Sequence, residues 1–210
     1  MTNTLHRRGS LEDLKKDYII FCTSPKGQSK EGRARRLKEY ARIVLSHKPV
    51  MFGSSAQGMQ SWAAGPDEFI NRITDDQSGM SATFTDLETL YEVIEDLRKA
   101  DLGFCVVVSG LLDEVAECCH QQGFERHSAE HSLGIMGRTD RLPSSQILEI
   151  NTLCGHGMVS FNLIKKVIDQ VKLGKLTPKQ GAALLAKPCA CAAFNTRRAE
   201  ELLERARLMS

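Results

Sequence analysis

The chain has 210 residues, of which 41% are hydrophobic and 26% charged, and its formal net charge at neutral pH is +2. A chain of this length can bury a core of its own, so a bound metal would not be needed merely to stabilise a small fold. The sequence has no apolar run near the roughly 18 residues of a membrane span and no apolar signal segment behind its N-terminus, so we expect a cytoplasmic protein with no membrane partner.

Charge is distributed unevenly along the chain. Residues 1–50 hold 12 Lys/Arg against 5 Asp/Glu, residues 51–100 hold 3 against 9, and residues 145–210 hold 10 against 5. The basic ends either attract a small anionic ligand or neutralise the acidic middle within the fold. A nucleic-acid partner is weakly supported, because no aromatic residues are interleaved with the basic ones.

The first part of the chain predicts alternating strands and helices. The predicted elements are a tail with a short helix capped by Ser10 at 1–16, a strand at 17–23, a helix at 31–47, a short strand at 50–52, a loop around Trp62 at 53–65 and a helical turn at 66–73. A loop this long within a compact domain is often functional.

The middle of the chain predicts a β-α-β-α-β unit. Its predicted elements are a strand at 81–84, a helix at 86–100 capped by Asp86, a strand at 104–108, a helix at 111–122 and a strand at 131–136. The continuous apolar run at 104–108 is typical of a strand buried on both faces. Residues 17–143 are therefore expected to form an α/β (or α+β) domain with a mixed sheet flanked by helices.

The last third of the chain predicts helices only. They are expected at 145–153, at 158–173, from the N-cap Thr177 to 186, and from an N-cap at Asn195 or Thr196 to 208. Residues 144–210 are thus expected to form a small helical domain that carries a Cys/His site.

Two short motifs at predicted helix junctions indicate a metal site. Four of their side chains are suitable ligands, namely Cys154, His156, Cys189 and Cys191. Clustered cysteines in a reducing compartment more often bind metal than form disulfides. The predicted helix N-termini behind them would favour thiolates, and the glycines on both sides of His156 would let the backbone bend toward a ligand.

The ligand set is compatible with more than one metal. Three cysteines match three corners of a [4Fe–4S] cluster, with His156, water or a substrate on the fourth iron, and this is the occupant that we expect. Zinc accepts Cys₃His but usually uses wider cysteine spacing, and Cu(I) is a third option. Cysteine is also a small core residue, so a packed junction without metal remains the simpler alternative.

A second candidate site joins the first predicted strand to the helix that follows it. Exposed backbone N–H groups and basic side chains there could hold a phosphate or carboxylate. The end of the 104–108 strand is a possible neighbour, because open α/β sheets bind ligands beside the carboxyl ends of their strands. The candidate binding residues are Ser24, Lys26, Gly27, Lys30, Arg33 and Ser109.

These observations define two classes of function. The first is a cytoplasmic metal-binding protein, either a redox or Lewis-acid enzyme or an accessory protein, beside a domain that binds a small anion. The second is a non-catalytic protein, either an anion-binding or regulatory module or an interaction protein with structural zinc.

Overall fold

The computed structural model describes residues 7–58 and 61–209, so part of the predicted tail lies outside the described residues. The helices are α1 Leu11–Leu14, α2 Arg33–Ser46, α3 Pro66–Asn71, α4 Leu87–Ala100, α5 Leu112–Gln121, α6 Ser145–Asn151, α7 Phe161–Lys172, α8 Pro178–Ala186 and α9 Thr196–Leu208. The strands are β1 Tyr18–Thr23, β2 Met51–Gly53, β3 Ser81–Phe84 and β4 Cys105–Ser109. Within the described ranges, no helix combines the length and apolarity needed to cross a membrane.

The four strands form one sheet in the order β2-β3-β1-β4. Every pairing is antiparallel, with Tyr18 opposite Phe84 in β3 and Thr23 opposite Cys105 in β4. A fold that combines helices with one sheet is confirmed, but the sheet is antiparallel and not mixed. Among successive strands, β2 and β3 are antiparallel neighbours, whereas α2 and α4 each connect two strands that run in the same direction with a third strand between them.

Successive side chains of β1 supply two separate cores. Tyr18, Ile20 and Cys22 pack among α2 to α5, whereas Ile19 packs with Met51 against the helices that follow residue 145. The period-two alternation of a strand produces this division, because adjacent side chains point to opposite faces of a sheet. At β1 the sheet is therefore covered by helices on both faces.

Two predictions for the middle of the chain are wrong. Strand β4 lies at the edge of the sheet, and Val107 on its uncovered side is 37% exposed, so the apolar run at 104–108 is not buried on both faces. Residues 131–136 form no strand: Leu133 and Met136 are exposed in coil. Gly134 has a φ of +87°, which interrupts the extended backbone that a strand needs.

The predicted N-caps of α8 and α9 are confirmed, whereas the helix predicted from residue 158 begins at Phe161 behind Ser160. Thr177 and Gln180 form a reciprocal capping box with Pro178 in the first turn, and the Asn195 side chain accepts a hydrogen bond from the Arg198 N–H. The helical character of the last third is likewise confirmed. Independent folding of 144–210 stays a prediction, and its helices share their core with Ile19 and Met51 of the sheet.

Candidate metal site

Two turns of the C-terminal third carry the candidate ligands. Cys154 ends a short 3-10 helix after α6, and Gly155 follows it with a φ of +73°. Cys189 and Cys191 lie in the connection between α8 and α9, where Ala192 adopts a φ of +58°. Each turn reverses the chain between packed helices, so the positions of the helices determine how the turns meet.

The two turns bring the four candidate side chains together. The Sγ atoms of Cys189 and Cys191 lie 3.9 Å apart, and the Cys191 Sγ lies 3.4 Å from the His156 Nδ1. The thiols of Cys154 and Cys189 also share a hydrogen bond. All three cysteines are buried, whereas His156 is exposed, so the cluster has a sulfur interior and an imidazole at the surface.

The contacts form a line from Cys154 through Cys189 and Cys191 to His156. Among the described residues, no group of three or more His, Cys, Asp or Glu side chains has the arrangement of a preformed ion site. A common metal would therefore require side-chain rotations that bring the two ends of this line toward one point.

The central thiol lowers the pKa values of its two sulfur neighbours. A hydrogen bond from Cys189 lowers the pKa of Cys154 to about 6, against the opposing effect of burial. The same donor lowers the pKa of Cys191 to about 5, with further help from the nearby His156. Cys189 itself keeps its proton, because the two hydrogen bonds and burial raise its pKa well above the ordinary value. Since Cys189 has a single proton to donate, it favours thiolate in whichever neighbour accepts it.

The backbone support of the sulfurs differs from the expected helix N-termini. Helix α7 starts at Phe161 behind its own cap Ser160, and α9 starts behind Asn195, so neither helix begins at a cysteine. Backbone hydrogen bonds from His156 and Met158 instead lower the pKa of Cys154, and one from Ala193 lowers that of Cys191. The turns themselves, rather than helix dipoles, supply the donors.

The sheet supports the second turn through residues that the sequence did not single out. The Thr83 hydroxyl of β3 donates a hydrogen bond to the Ala192 carbonyl at 3.3 Å. A side chain at Gly53 would place its Cβ only 2.9 Å from that of Ala192 and 2.4 Å from the Ser61 Oγ. A glycine within a strand often marks a place where another chain segment approaches closely. Gly53 was therefore the sequence signal for the contact between the sheet and the turn that contains Ala192.

Some of the donors in the predicted anion loop are already bound by groups of the protein itself. The Asp75 side chain accepts a hydrogen bond from the Ala34 N–H at 2.6 Å, in the first turn of α2. Arg33 is buried and donates to the Asp75 carbonyl, and the Lys30 ammonium pairs with Asp76 at 3.0 Å. Of the other candidates in this loop, Ser24 is half-buried, and Lys26 and Gly27 are exposed.

Ser109 lies far from that loop along the sheet. It pairs with Ile19 at the start of β1, whereas the loop leaves the other end of β1 after Thr23, which pairs with Cys105. In an antiparallel pair the carboxyl ends of the two strands lie at opposite ends of the sheet, measured along the strand direction. The structure therefore does not bring Ser109 together with the basic residues, and an anion-binding role for either remains a prediction.

Two of the other cysteines have the environment of core residues. Cys22 and Cys118 are buried in the core between the sheet and α2 to α5, and burial raises the pKa of each thiol to about 12. Their chemistry thus differs from that of the cluster, where two thiols have lowered pKa values. This contrast makes them internal standards for experiments on the cluster.

Comparison with known proteins adds no relative to these observations. No protein-family model, curated protein or solved structure matches the chain.

Proposed function

We propose that this protein binds a metal centre through Cys154, Cys189, Cys191 and His156. One observation carries the proposal: turns more than 30 residues apart in sequence bring three sulfurs and an imidazole close together. Ordinary core packing accounts for buried cysteines, but it gives no reason for an exposed imidazole nitrogen 3.4 Å from one of them.

The spacing of the ligand atoms favours a single tetrahedral ion over the expected [4Fe–4S] cluster. Zinc–sulfur bonds of about 2.3 Å imply distances of about 3.8 Å between two sulfurs of one tetrahedral site. The Cys189 and Cys191 sulfurs, which share a hydrogen bond at 3.9 Å, would need little change in their separation to match that value. A cluster places each thiolate on a different iron, which separates the sulfurs further. Zinc is therefore our first candidate occupant.

The [4Fe–4S] cluster remains the second candidate because of the ligand count and the exposure of His156. Three buried thiolates would hold three irons, and a surface imidazole could bind or leave the fourth. The two occupants predict different roles. Zinc on four protein ligands would lock α6 and α7 to α8 and α9, whereas a cluster with an exchangeable fourth position would support redox or Lewis-acid chemistry.

Metal analysis of protein purified without oxygen tests the proposal. We expect one zinc per chain and colourless protein, and loss of that zinc in Cys189→Ser. The matched control is Cys118→Ser, which replaces an equally buried cysteine in the other core and should keep the metal. Four irons per chain with broad visible absorbance would select the cluster instead.

The contrary result is equally clear. Protein that takes up neither zinc nor reconstituted iron and sulfide, with the same unfolding midpoint before and after metal addition, would reduce the four residues to a packed junction. Metal retained equally in Cys189→Ser and Cys118→Ser would place the bound metal elsewhere.

A further inference from the structure

Arg7 binds the backbone of both cysteine turns at once. Its Nη2 donates hydrogen bonds to the carbonyl oxygens of Leu153, at 3.0 Å, and of Ala193, at 2.6 Å. Leu153 immediately precedes Cys154, and Ala193 lies two residues after Cys191. One guanidinium therefore bridges the two chain segments that carry the cysteines.

The bridge is anchored in a buried ionic network. The Nη1 of Arg7 pairs with Asp17, and the two side chains are 7% and 0% exposed. Asp17 also accepts hydrogen bonds from Arg198 at 2.8 Å and from Asn195 at 3.0 Å. A buried carboxylate with this many donors holds a guanidinium in one orientation, and the planar fork of arginine can serve a carboxylate and two carbonyls together.

The network gives Arg7 a role that its neighbours do not share. Arg198 pairs with the same carboxylate but donates its other hydrogen bond to the Arg8 carbonyl and not to a carbonyl of either turn. Arg205 pairs with Asp13 and so attaches α1 to α9. Arg198 and Arg205 thus attach the N-terminal segment to α9, whereas Arg7 donates hydrogen bonds to both turns.

We propose that Arg7 is a positioning residue of the cysteine cluster: it sets the separation of the two turns and so holds the three sulfurs within reach of one another. The inference deepens the proposed function and rests on it for the identity of the bound metal. Groups outside the first ligand shell commonly orient the ligands and change metal affinity. Here the oriented groups are the backbone turns rather than the ligand side chains.

Thiol alkylation in the full-length, reduced and chelator-treated protein tests the inference without metal. We expect Arg7→Met to raise the iodoacetamide rates of Cys154, Cys189 and Cys191 about tenfold, as expected when a charged hydrogen bond no longer opposes local opening. The rates of Cys22 and Cys118, in the other core, should stay at the wild-type value. A purely structural role would raise all five rates together, and that result would overturn the inference.

Two further variants keep the test specific. Arg205→Met removes an ion pair of the same N-terminal segment without touching either turn, so it should leave the cluster rates unchanged. Arg7→Lys keeps a charge beside Asp17, but a single ammonium cannot reproduce the fork, so the cluster should remain more reactive than in the wild type. If Arg7→Met does not fold, Arg7→Lys replaces it, and unchanged cluster rates in the variant that folds would overturn the inference.

A metal-release measurement separates this inference from the proposed function. We expect zinc-loaded Arg7→Met to lose zinc to a chromophoric chelator about tenfold faster than the wild type does. A wild-type protein that binds no zinc contradicts zinc as the occupant and leaves the alkylation comparison valid. Equal release and equal alkylation in the variant and the wild type would reject Arg7 as a positioning residue.

Discussion

At the scale of single residues, buried carboxylates hold the N-terminal segment against the C-terminal helix. Asp13 is buried and forms a forked ion pair with Arg205, at 2.8 and 3.2 Å. The hydrogen bond from Arg205 is the main cause that lowers the pKa of Asp13 from 3.8 to about 2, with Ser10 as a second donor. This carboxylate therefore couples the stability of the fold to acid.

We predict that Asp13→Asn lowers the free energy of unfolding at pH 7 by about 1 kcal/mol. The pKa shift alone corresponds to about 2 kcal/mol, and screening of the half-exposed Arg205 reduces that contribution. Because the folded-state pKa is depressed, the contribution is complete above about pH 5 and is lost as the pH falls through the folded-state pKa of about 2. Urea unfolding of wild type and variant measures the difference, and a gap that persists undiminished at pH 2 would contradict this assignment.

At the scale of elements, α8 is the helix whose start is most completely specified by local sequence. The Thr177 hydroxyl accepts a hydrogen bond from the Gln180 N–H at 3.2 Å, and the Gln180 side chain accepts one from the Thr177 N–H at 2.9 Å. Helix α8 also ends just before the turn of Cys189 and packs against α9. The position of α8 therefore influences where the turn that carries Cys189 and Cys191 lies.

We predict that Thr177→Ala destabilises the protein by about 1 kcal/mol, the usual effect of removing an N-cap side chain. Thr177→Ser keeps the hydroxyl and should retain most of the stability. Thermal or urea unfolding of the three proteins provides the measurement. Equal losses for the alanine and serine variants would mean that packing of the threonine methyl group, rather than the cap, stabilises this helix start.

At the scale of the whole molecule, the sheet lies between two hydrophobic cores and contributes side chains to both. Ile19 of β1 belongs to the core of the C-terminal helices, whereas its neighbours Tyr18 and Ile20 belong to the other core. Trp62, the single tryptophan of the chain, packs against the C-terminal core. Loss of either core would therefore expose one face of the same four strands.

We predict a single cooperative unfolding transition, with the same midpoint by Trp62 fluorescence and by far-UV circular dichroism. Ile19→Ala should move both midpoints together, with a loss of about 2–5 kcal/mol for truncation of a buried aliphatic side chain. Two separated transitions would instead favour independent folding of residues 144–210.

The capping signals at Ser10, Asp86, Thr177 and Asn195 predicted helix starts that the structure contains, because caps and helical periodicity depend on residues only a few positions apart. Local spacing also identified the cysteine and histidine motifs, since two glycine- or alanine-rich turns between helices are visible in the sequence. Their convergence stayed a hypothesis, because it depends on the packing of α6 to α9.

Three features were decided only by tertiary structure. The strand at 104–108 has the composition of a buried strand, yet pairing with β1 alone leaves it at an edge. The contact of Arg33 with the Asp75 carbonyl and the contacts of Arg7 with the Leu153 and Ala193 carbonyls have no counterpart in any sequence motif. In each case the contacting residue lies more than 40 positions away in sequence. Periodicity and local spacing carry no information about a contact over that distance.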